Sequence, residues 1–96
     1  MTRTYLVECY WPGVSKTRLA DTIARLAGEP GRGDGVRWLD SILVPADETV
    51  LCLFRGATAA AIREAADQAR LPAERVVECI QIASNDRDRS QGRRVR

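Results

Sequence analysis

With 96 residues, 45% of them hydrophobic, the chain is long enough for one domain with a thin core and too short for two. Its net charge is +2, and five arginines, Arg87, Arg89, Arg93, Arg94 and Arg96, crowd into the last ten residues. Residues 1–86 carry 10 basic and 12 acidic groups, which argues against nucleic acid as a partner, because phosphate binding needs a basic face on the domain itself.

Thr4 to Tyr10, TYLVECY, is rich in strand formers and stops at the turn signal Trp11-Pro12-Gly13. Ser15 then caps a helix whose inner face is Leu19, Ile23, Leu26 and Ala27, with Arg18, Asp21 and Arg25 elsewhere on it. The glycine-rich stretch from Gly28 to Gly35 follows a helix and precedes a strand. Phosphate loops run from strand to helix, so it reads as a flexible connection.

Val36 to Val44 is a second strand, Pro45-Ala46-Asp47-Glu48 a hairpin connection, and Thr49 to Arg55 a third strand. Thr58 caps a second helix with Ile62, Ala65, Ala66 and Ala69 inward, ended by Leu71-Pro72. Arg75 to Ile82 is the fourth strand. The remainder lacks periodicity and reads as a disordered arginine-rich tail over residues 84–96, leaving one domain over residues 1–83.

The order β-α-β-β-α-β predicts the α+β, ferredoxin-like arrangement: a four-stranded antiparallel sheet of order 4-1-3-2 with two helices on one face. There is no apolar run for a membrane span and no signal-peptide pattern, so a cytoplasmic location is expected. Histidine is absent. The three cysteines, Cys9, Cys52 and Cys79, are widely spaced without a C-x-x-C pair, which suits reduced thiols and argues against structural zinc. The serines lack a histidine partner for nucleophilic catalysis.

Two strands share an echo, Leu6-Val7-Glu8-Cys9 and Val76-Val77-Glu78-Cys79, and the first and fourth strands lie side by side in this topology. Strict alternation puts odd-numbered strand residues toward the helices. The even-numbered set, Glu8, Tyr10, Trp38, Asp40, Cys52, Phe54 and Glu78 with several aliphatic residues, then lies on the uncovered face. An apolar surface of that extent marks an interface or a binding groove. A homodimer joined through these faces is expected, as in dimeric α+β barrels, with Tyr10, Trp38 and Phe54 against a small-molecule ligand.

Carboxylates buried together need a proton, a cation or an arginine. Glu8, Asp40 and Glu78, with Cys52, are therefore candidate metal ligands. The same acids are alternatively a base (Glu8 or Glu78) and an acid (Asp40) of a cofactor-free isomerase or cyclase acting on a hydrophobic metabolite. They are equally candidates for pairing with Arg3, Arg37 or Arg55. Read singly, each is a solvated or salt-bridged strand residue that specifies register.

The segments YLVE with its Pro-Gly turn, VRWLDS, and CLFRGATAAAIREAADQARLPAERVVE together resemble a family of small ferredoxin-like bacterial proteins. That family is abundant in actinobacteria, of unknown function and often labelled nickel-binding. The resemblance spans Thr4 to Ile82 and implies a dimeric α+β fold and binding of a divalent transition metal, nickel in the labelled members. Relatives commonly carry histidine where this chain has Asp40. The metal set implied here is therefore Glu8, Asp40, Glu78 and Cys52, with a weaker preference for nickel.

Overall fold

The structure, a computed structural model, describes residues 2–27 and 35–82. In chain order the elements are β1 (Arg3–Tyr10), α1 (Lys16–Ala27), β2 (Arg37–Val44), a 3-10 turn (Pro45–Asp47), β3 (Thr49–Gly56), α2 (Ala59–Gln68) and β4 (Ala73–Cys79). The strands form one antiparallel sheet of order β2-β3-β1-β4, which is the expected order named from the opposite edge. Most of the glycine-rich stretch and the arginine-rich tail lie outside the described residues.

Both helix starts are where their caps put them. The Ser15 hydroxyl accepts from the Arg18 amide at 3.1 Å, and the Thr58 hydroxyl from the Ala61 amide at 3.1 Å, satisfying donors that the first helical turn leaves free. Helix α2 buries Ile62, Ala65 and Ala66, and Ala69 beyond its last turn is buried too. It ends as Arg70 takes the left-handed φ of 65° and the Leu71 amide reaches back to the Ala66 carbonyl at 2.9 Å. Gly56 lets α2 sit close to the sheet, since a Cβ there would lie 2.8 Å from Ile62 Cδ1.

Strand register decides which residues meet the helices, and here the odd-even expectation fails on three strands. In β1 Tyr5, Val7 and Cys9 are buried as expected. Their partners in β3 are Phe54, Cys52 and Val50, all fully buried, so the even residues of β3 face the helices. Opposed residues share a face, and β1 and β3 pair odd with even. In β2, Ser41 and Leu43 oppose Cys52 and Val50, but a bulge at Leu39 resets the alternation, and Trp38 opposes Phe54 on the covered side. In β4, Val76 and Glu78 oppose Val7 and Tyr5, while Val77 and Cys79 oppose Leu6 and Thr4 on the uncovered side.

The covered face therefore stacks in rows across the sheet. Tyr5, Phe54 and Trp38 form an aromatic row; Val76, Val7, Cys52 and Ser41 the next; Ala73, Cys9, Val50 and Leu43 the last. Leu19, Leu26, Ile62, Ala66 and Leu71 close over them in one core.

Candidate functional site

The uncovered face also reads in rows. At one end stand Arg37, Arg55, Thr4 and Cys79; next come Asp40, Leu53, Leu6 and Val77; then Ile42, Leu51, Glu8 and Arg75; and at the far end Val44, Thr49 and Tyr10. Its middle is aliphatic, and Ile42 and Tyr10 are 56% and 50% exposed. The charges lie around that middle. Arg37 and Arg55 face each other directly, an unfavourable placement for like charges, and neither has an ion-pair partner among the described residues.

Of the four residues considered as metal ligands, Glu8 and Asp40 share this face, in adjacent rows of side chains and two strands apart. Arg75 Nη2 donates to Glu8 Oε2 at 3.2 Å, an exposed pair of small energetic weight. Asp40 Oδ1 accepts from the Ser41 amide at 2.8 Å. Glu78 is on the helix side of β4 and meets Arg3 at 3.9 Å, so it does not neighbour Glu8. Cys52 is sealed in the core. Among the described residues no three His, Cys, Asp or Glu side chains are gathered to hold an ion. Of the expected ligand-stacking aromatics, only Tyr10 is on the uncovered face; Phe54 is fully buried and Trp38 packs against the core.

What replaces the expected cluster is a hydrogen-bonded chain inside the core. Trp38 Nε1 donates to Ser41 Oγ at 2.9 Å, and the Ser41 hydroxyl donates to Cys52 Sγ at 2.9 Å. Cys9 shares the same face one row on. The neighbouring Cys52 thiol and burial raise the Cys9 pKa, keeping its proton in place. Cys79, half-buried on the uncovered face, is raised by burial and by Glu78 beside it. The Trp38-to-Ser41 spacing of three residues would suit a helix; only the bulge at Leu39 lets it join two groups on one strand face.

Clefts open at the surface among the described residues. One of about 420 Å³ lies at the end of the sheet, lined by Arg3, Thr4, Arg55, Glu78, Cys79, Ile80 and Gln81. It begins where β4 stops three residues short of its expected end, leaving Ile80 and Ile82 exposed. Another, of about 250 Å³, is lined by Trp11, Arg18, Asp21, Thr22, Arg25 and Arg70. In the sequence Arg18, Asp21 and Arg25 stand off the inner face of α1 without being joined to Arg70, whose distance in the chain hides the meeting.

No curated protein matches the chain by sequence. A crystal structure of SCO4226 from Streptomyces coelicolor A3(2) matches the fold with a TM-score of 0.71 and 18% identity, over 83% of this chain and 99% of that one. The profile of the family described as nickel responsive protein SCO4226-like matches residues 5–79, from Tyr5 in β1 to Cys79, where β4 ends. The chain belongs to the SCO4226-like family of nickel responsive proteins.

Proposed function

We propose that this chain is a binding protein that works as a homodimer, two uncovered sheet faces meeting to enclose a cavity for a small hydrophobic ligand. The observation that carries this reading is the aliphatic middle of that face, Leu6, Ile42, Leu51, Leu53 and Val77, which no element of the described chain covers. The unpaired Arg37 and Arg55 at one end and the acid Asp40 further in supply opposite charges that a two-fold related copy brings together.

The family's description names nickel, and the described donors do not fit a resident nickel ion. Nickel favours imidazole and thiolate; the chain has no histidine, Cys9 and Cys52 are sealed beneath the helices, Glu8 is held by Arg75, and Cys79 on the uncovered face belongs to no group of three His, Cys, Asp or Glu donors among the described residues. The ligand assigned to the cavity is therefore organic and apolar.

Sedimentation and light scattering test the assembly. A species of twice the 10.6 kDa protomer is expected, with Ile42→Lys shifting it to monomer. A fluorescent apolar probe should bind once per dimer and lose its site in the same variant. A protomer that stays monomeric up to about 100 μM, where an interface of ordinary affinity is saturated, overturns the reading. So does a dimer indifferent to charge at Ile42. In equilibrium dialysis with nickel at micromolar concentration, occupancy below about 0.1 per chain is expected.

A further inference from the structure

The cleft where the flank of α1 meets the end of α2 gathers three guanidinium groups, Arg18, Arg25 and Arg70, against the single carboxylate of Asp21. None of the four makes an ion pair among the described residues, so the cleft holds two uncompensated positive charges. Two of the arginines are held in place. Arg25 Nη2 donates to Thr22 Oγ1 at 3.2 Å and to the Ala69 carbonyl at 3.1 Å, and the Arg18 guanidinium lies 5.7 Å from the centroid of the Trp11 ring.

Convergence of like charges is unfavourable unless an anion joins them. Planar guanidinium forks match the oxygens of phosphate two at a time. Positioned arginines also lose less rotamer freedom on binding than free ones. The volume of about 250 Å³ suits a phosphate group with a small substituent. The cleft is on the helix side of the sheet, so a dimer formed through the uncovered face leaves it open to solvent.

We infer that this cleft is a binding site for a small oxyanion of the phosphate class, held by Arg18 and Arg70 with Arg25 as the fixed floor. Calorimetric titration of the full-length protein at constant ionic strength tests it, with inorganic phosphate in one arm and glycerol 2-phosphate in the other. A saturable, one-per-chain isotherm with a dissociation constant of about 0.1–1 mM is expected. Arg18→Gln and Arg70→Gln should each weaken it about tenfold, the effect of one lost charge-assisted hydrogen bond. Both substitutions are at exposed positions, and circular dichroism verifies that the variants are folded.

Tighter binding of the ester assigns the site to a phosphorylated metabolite, and equal or tighter binding of inorganic phosphate to the free ion; either order supports the site. Absence of a saturable isotherm for both anions up to about 10 mM overturns it. An affinity unchanged in the double variant does the same.

Discussion

Replacing Phe54 and Leu53 by alanine, one at a time, separates the two faces of β3. Phe54 has no exposed surface, opposes Tyr5 on one side and Trp38 on the other, and is sealed by the helix layer. Phe54→Ala should cost about 3–5 kcal/mol for lost burial and the cavity left behind, and the aromatic row adds about 0.5–1.5 kcal/mol to the upper end. A domain of this size has a total stability of roughly 5–15 kcal/mol, so the variant should melt about 12–40 °C lower, on a scale of about 4–8 °C per kcal/mol. Leu53 is half-exposed on the other face, and its truncation should cost the folded protomer under about 1.5 kcal/mol. Urea and thermal unfolding at two protein concentrations make the comparison, because a contribution from subunit pairing varies with concentration and a core contribution does not. If Leu53→Ala destabilises as much as Phe54→Ala at both concentrations, the register assigned to β3 is wrong.

The thiols should divide by face: a colourless disulfide reagent that releases a chromophore on exchange should modify Cys79 in the native protein and reach Cys9 and Cys52 only with unfolding. Because burial and Glu78 raise the Cys79 thiol, its rate should be slow at neutral pH and should climb with pH beyond the ordinary thiol range; prompt reaction of two or more thiols at neutral pH would count against this. Ser41→Ala removes both the acceptor of the Trp38 indole and the donor to Cys52, and should cost about 1–2 kcal/mol in urea unfolding with a shift in Trp38 emission. Gly56→Ala should destabilise by about 1–3 kcal/mol in the same assay, because the new methyl meets the fully buried Ile62.

Element order, both helix caps and the inner face of α2 were legible in the sequence, because capping chemistry and helical spacing act within a few residues. The sheet faces were legible only in part. In β3 the run Val50-Leu51-Cys52-Leu53-Phe54 is apolar on both sides, so alternation carries no information about which side the helices take. In β2 the single unpaired residue Leu39 turns Arg37 outward and Trp38 inward, reversing what a regular strand would give. The grouping of Glu8, Asp40, Glu78 and Cys52 depended on one parity holding in all four strands, and it dissolved when three did not comply. The arginine cleft had no local signal at all, since it depends on where the end of α2 meets the flank of α1.

The two irregularities of the sheet both occur at its margins: Leu39 in β2 and Glu74 in β4 are unpaired, whereas the central pairing of β1 with β3 runs without a break. A bare strand edge is a template onto which another chain can hydrogen-bond its backbone, and repeated pairing of that kind leads to fibrils. A bulge twists the edge and puts its amides and carbonyls out of step with an incoming strand. Lateral polymerisation is thereby discouraged at both margins, so the pairing proposed across the flat of the sheet, a geometry that closes after two copies, would meet no competition from strand addition.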